Sequence, residues 1–103
     1  MLNITKEKNG TDLIIKLEGR LDTLTASQLE EELRTSLDGV QKLQLDMNDL
    51  QYLSSAGLRV LLVAQKQMNK QGEMCLTGVS DTIMDVFELT GFIDILTIEE
   101  TKK

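Results

Sequence analysis

The stretch YLSSAGLRVLL, Tyr52 to Leu62, sets two adjacent serines and a glycine ahead of a run of aliphatic residues. A serine hydroxyl so placed can cap a helix, act as a nucleophile beside a base, or accept a modification. The nucleophile needs a base, and the chain has no histidine, so Ser-His and Cys-His pairs cannot be built and a Ser-Lys variant is the weak remainder. Zinc sites built from Cys and His fail for the same reason, since Cys75 stands alone. No GxxxxGK[ST] loop and no GxGxxG run supports an NTPase or dinucleotide site. Asp46 and Asp49 could hold a hard cation, but two loop aspartates read as turn residues. The expectation is a protein with no catalytic set, cofactor or metal: a binding surface that carries a modifiable residue.

The two serines are not equivalent. If Ser54 is the cap, Leu53 and Leu58 occupy the two positions of a hydrophobic staple; if Ser55 were the cap, the pair would be Ser54 and Arg59. Packing therefore assigns the cap to Ser54 and leaves the Ser55 hydroxyl in the first turn, free to point outward. Gly57 in that turn costs about 1 kcal/mol relative to alanine, which calls for a reason such as close approach of another chain. A phosphate on Ser55 would add a charge of about −1.5 to −2 where the first amides and the helix dipole favour an anion. Such a modification should leave the fold intact and act on a partner docking over this helix end.

The elements that position this motif follow from periodicity. The first segment, MLNITKEKNGTDLIIKLEGRL, predicts two antiparallel strands around Asn9-Gly10, with Leu13, Ile15 and Leu17 on the buried face of the second. LTASQLEEELRTSLDGV predicts a helix capped by Thr25, with Gln28 returning the bond and Leu24 packing on Leu29. Its stripe is Ala26, Leu29, Leu33 and Leu37, its acidic run is a solvated face, and Gly39 closes it. QKLQLDMN predicts a strand ending near Asp46 or Met47, and the helix after Ser54 is apolar enough to be buried on more than one side, Val63 included. MCLTG reads as a strand, and VSDTIMDVFELTGF as a helix capped by Ser80 and ended by Gly91, with Val79 packing on Met84. IDILTI reads as a last short strand. The alternation predicts a single α/β domain over residues 1–103, with a mixed, mostly parallel sheet and an antiparallel strand from the N-terminal hairpin.

With 41% hydrophobic residues in 103, the chain has enough for one core. Its net charge of −6, with one Tyr, two Phe and no Trp, argues against nucleic acid and anionic membrane as partners, and also simply keeps a small domain soluble. No run approaches the roughly 18 apolar residues of a membrane span, and the N-terminus lacks a signal-peptide pattern. A cytoplasmic location is expected, with Cys75 as a small buried hydrophobe in a reducing compartment.

Three segments, LEGRLDTLTA at Leu17 to Ala26, LQLDMNDLQYLSSAGLRVLL at Leu43 to Leu62 and FELTGF at Phe87 to Phe92, resemble in order and spacing the STAS-domain anti-sigma factor antagonists of bacteria. The resemblance implies a small antagonist that, unphosphorylated, binds an anti-sigma factor and frees the sigma factor. It also implies that the anti-sigma factor is a serine kinase that modifies the motif serine, and that a metal-dependent, PP2C-type phosphatase reverses the step. By position that serine corresponds to Ser55; because some members carry Asp where this chain has Ser54, the resemblance alone leaves both serines open. Asp22 matches an acidic residue of the family's partner surface. The partner-binding set expected from motif and resemblance together is Asp22, Thr23, Thr25, Ser54, Ser55, Ala56, Gly57 and Leu58. The alternative is an adaptor or structural STAS subunit of a transporter or signalling assembly, in which the serines only cap a helix.

Overall fold

The computed structural model describes residues 2–99. Strand β1 (Leu2–Asn9) turns through Gly10 and Thr11 into β2 (Asp12–Leu21), with Asn9 paired to Asp12 across the loop. Gly10 has φ 65°, the backbone that lets glycine take the first position of a two-residue hairpin loop. Helix α1 (Thr23–Ser36), β3 (Lys42–Leu53), α2 (Ser55–Gln71), β4 (Glu73–Thr77) and α3 (Asp81–Thr90) follow, then a 3-10 turn at Phe92–Asp94. The sheet order is β1-β2-β3-β4, with β1 antiparallel to β2 and the remaining neighbours parallel. This is the α/β architecture with an antiparallel hairpin strand that the sequence predicts.

The sheet has one dry face and one wet face. Leu13, Ile15, Leu43, Leu45, Met74 and Leu76 are buried and lie in matching rows across β2, β3 and β4. Against them pack Leu29, Leu33, Leu61, Met68 and Phe87 of the helices, all in one core cluster. On the other face, Glu7, Lys16 and Glu18 are exposed. Parallel sheets are usually covered on both faces and read as unbroken apolar runs; here the wet face preserves the alternation that makes the strands recognisable. Cys75 lies opposite Gln44 and is half-buried on that face, not packed in the core as the sequence suggests. Burial is the main influence that pushes its thiol pKa up, so it stays protonated.

Strand β3 departs most from expectation. Alternation ends at Met47, where the sequence places the strand end, yet the strand runs on to Leu53 because two irregularities in its pairing with β2 absorb extra residues. After Leu43, Leu45 and Met47, the buried positions are Leu50 and Leu53, spaced by three. Asp46 Oδ1 accepts the Asn48 amide at 3.0 Å and its side-chain amide at 2.8 Å, and Asp49 pairs with Lys16 at 3.3 Å. Both aspartates therefore lie in a bulged strand, not in a turn.

Two further expectations change. IDILTI does not form a strand: Ile95 and Leu96 donate back to the Phe92 carbonyl in a 3-10 turn, and pairing with β4 is reduced to a bridge at Leu76 and Ile98. Val63 is 52% exposed, so α2 buries less of its circumference than its composition suggests. What the sequence did not reveal is Gln65, buried on α2, whose Oε1 accepts the Thr97 amide at 3.2 Å while its Nε2 donates to Asn69 at 2.9 Å. It ties the segment after α3 to the core. Gln65→Ala, which orphans those groups, is expected to lower stability by about 1–3 kcal/mol in urea unfolding and to speed hydrogen exchange at the Thr97 amide.

Candidate functional site

β2 and β3 end side by side, at Leu21 and Leu53 in register, and each passes through one residue into a helix. Those residues, Asp22 and Ser54, have extended backbones and are the two N-caps. The Ser54 amide donates to the Leu21 carbonyl at 2.9 Å, which fixes the start of α2 to the end of β2. Ser54 Oγ accepts the Gly57 amide at 3.2 Å, and its backbone carbonyl accepts Leu58 at 2.9 Å. The serine side chain is therefore engaged, and Leu53 and Leu58 on either side of it are buried, as the staple requires.

Ser55 is the first residue of α2, exposed, and its hydroxyl makes no hydrogen bond to the described residues. Ala56 is half-buried, while Gly57 and Leu58 lie beneath the surface. The reason for Gly57 is internal: a Cβ there would stand 2.7 Å from Leu21 Cγ and 2.9 Å from Leu53 Cδ1. Its smallness admits the ends of β2 and β3, so Gly57 and Leu58 support the surface from below and present no side chain to a partner.

The cap of α1 differs from expectation. Asp22, not Thr25, holds the N-cap, accepting the Leu24 amide at 3.1 Å and the Thr25 amide at 3.0 Å. Thr25 returns the contact, its Oγ accepting the Asp22 amide at 2.8 Å and donating to the Arg20 carbonyl at 2.8 Å. Leu24 is 86% exposed and makes no staple, and Gln28 donates to the Leu2 carbonyl at 3.2 Å instead of closing a cap. The missed signal was the Asp22-x-x-Thr25 spacing, in which an aspartate outranks a threonine three residues later. Also missed was Arg20, whose guanidinium carbon lies 4.2 Å from the ring centroid of Tyr52, its register partner. Asp22, Thr23, Thr25, Ser54 and Ser55 thus gather where two helices begin at the ends of adjacent strands. Thr23, Ala26, Ala56, Arg59 and Val63 are among the residues that line a shallow depression between those helices.

A model of the STAS domain matches residues 3–103. The chain belongs to the STAS domain family. BtrV of Bordetella bronchiseptica is 36% identical over 104 residues, covering 99% of this chain and 90% of its own. The anti-sigma-B factor antagonist of Listeria monocytogenes is 32% identical over 100 residues, covering 94% of this chain and 87% of its own. Among solved structures, the phosphorylated form of SpoIIAA, a Bacillus cell fate determinant, superposes with a TM-score of 0.77 at 19% identity, covering 98% of this chain and 93% of its own, a likeness of fold.

In this STAS domain the Asp22 carboxyl is held below the usual range, first because it accepts the Thr25 amide; partial burial opposes the shift, and the Thr25 hydroxyl and Leu24 amide add to it. A depressed carboxyl stabilises the fold above its ordinary value of 3.8 and loses that contribution as pH falls through its folded value. The stability advantage of the parent over Asp22→Asn should therefore be constant above about pH 5 and shrink as pH falls below the ordinary carboxylate range in acid-unfolding curves. The serines should separate as clearly in thermal melts. Ser54→Ala is expected to lose about 1 kcal/mol, or roughly 4–8 °C, whereas Ser55→Ala should stay within about 0.5 kcal/mol of the parent.

Proposed function

We propose that this protein is a phosphorylation-switched anti-sigma factor antagonist whose switch is Ser55. One observation carries the assignment: the Ser54 hydroxyl is engaged in capping α2, whereas the Ser55 hydroxyl is exposed beside it without a hydrogen bond to the described residues. A kinase can reach the second without undoing the cap. The names of relatives at 32% identity in Listeria monocytogenes and Staphylococcus aureus, both anti-sigma-B factor antagonists, support the class of function.

In this reading the unmodified end of α2, with Asp22, Thr23 and Thr25 beside it and Ala56 at its edge, docks onto a cytoplasmic anti-sigma factor that is also a serine kinase. Phosphate on Ser55 adds a charge of about −1.5 to −2 and a hydration shell at the centre of that docking surface, while the first amides of α2 and the helix dipole accommodate it in the free protein. Fold and binding are thereby uncoupled. A PP2C-type phosphatase returns the serine to its binding form, and the protein serves as ligand and substrate, not as enzyme. Among the described residues no helix is long and apolar enough to cross a membrane.

Incubation with the anti-sigma kinase and ATP should add one phosphate, mapped to Ser55 by mass spectrometry and absent from Ser55→Ala. In titration calorimetry, Ser55→Ala should bind the kinase as tightly as the unmodified protein, and Ser55→Glu at least about tenfold more weakly, a difference of about 1.4 kcal/mol. Equal affinity of all three, or co-purification with a membrane ATPase in place of a kinase, would point to the adaptor role.

A further inference from the structure

We infer that Arg59 is the intramolecular partner of a phosphate on Ser55, holding it by a charge-assisted hydrogen bond from one helical turn further along α2. The inference rests on the proposal that Ser55 is the modified residue. Both residues lie within α2 and both are exposed. Their spacing of four puts them on the same side of the helix with Cβ atoms about 5–6 Å apart, the anion N-terminal to the cation, which is the favourable order. The guanidinium fork matches a phosphate in both geometry and charge.

Arg59 is also conspicuous by its setting. It is the one charged residue between Ser55 and Gln65, set among small and aliphatic neighbours. The ion pairs among the described residues are Lys6 with Glu32, Lys16 with Asp49, and Arg34 with Glu31, so Arg59 is not held by a carboxylate. The second cation at this end, Arg20, is stacked on Tyr52. From α1, Glu30 borders the same depression as Arg59, and Asp22 caps the helix beside it; both are anionic and would raise the phosphate's second pKa, against Arg59. Phosphorylation would then change the docking surface twice, by adding a dianion and by withdrawing a cation that the unmodified protein offers to its partner.

The test is a 31P NMR titration of the full chain carrying phosphoserine installed at position 55 during translation. The helix dipole acts on the phosphate equally in every variant, so the comparison isolates the side chain. The second phosphate pKa is expected to rise by about 0.2–0.4 unit in R59Q, to stay near the parent value in R59K, and to be unmoved in R20Q. Identical titrations for the parent and R59Q, or a shift that follows R20Q, would overturn the assignment. Because the phosphate is installed without a kinase, the titration reports on Arg59 whether or not Ser55 is the natural target. Mapping of the enzymatic phosphosite reports on the switch separately.

Discussion

The hydrogen bond from the Ser54 amide to the Leu21 carbonyl joins the two halves of the site. Leu21 ends the strand that leads into α1, and Ser54 begins the helix that follows β3, so this bond fixes the two helix starts relative to each other. Gly57 makes the arrangement possible, since any larger residue would push α2 away from Leu21 and Leu53. The constraint is steric and local, yet everything proposed about the surface above it depends on the position it sets.

On the proposal that Ser55 is the switch, duplication of a residue type separates structure from regulation at that surface. A helix start near the protein surface needs an oxygen to accept its first amides, and a modified serine needs an unencumbered hydroxyl; one side chain cannot do both at once. Ser54 meets the first demand and Ser55 is left for the second. The same division appears at α1, where Asp22 and Thr25 satisfy each other and leave Thr23 and Leu24 facing solvent.

Legibility in the sequence followed the physics of each element. The cap at Ser54 and the exposed hydroxyl it leaves at Ser55 were readable because staple and cap depend on residues within five positions, and β2 was readable because its wet face keeps strict alternation. The continuation of β3 was hidden because pairing irregularities break the period that identifies a strand, and the pairing that creates them comes from β2, far away in sequence. Local pattern gives the cap to Thr25 because Asp22, the other member of its reciprocal pair, lies ahead of the helical periodicity. IDILTI has strand composition, but its first residues are drawn into a turn after Gly91, whose φ of 79° reverses the chain. Gln65 and the Arg20–Tyr52 pair depend on contacts between distant segments, to which a local pattern is blind.

The irregularities in β3 carry a geometric consequence of their own. β2 spans its length with 10 residues and β3 covers the same span, paired at both ends, with 12. Two single-residue offsets sum to an even number, so side-chain parity at the far end is what an unbroken strand would give, and Leu53 still points inward. Between the offsets, parity is inverted: without them Asp49 and Gln51 would face the core and Leu50 would face water. The strand thus works as a vernier, letting a polar stretch cross the middle of the sheet while the residues leading into Ser54 arrive in phase.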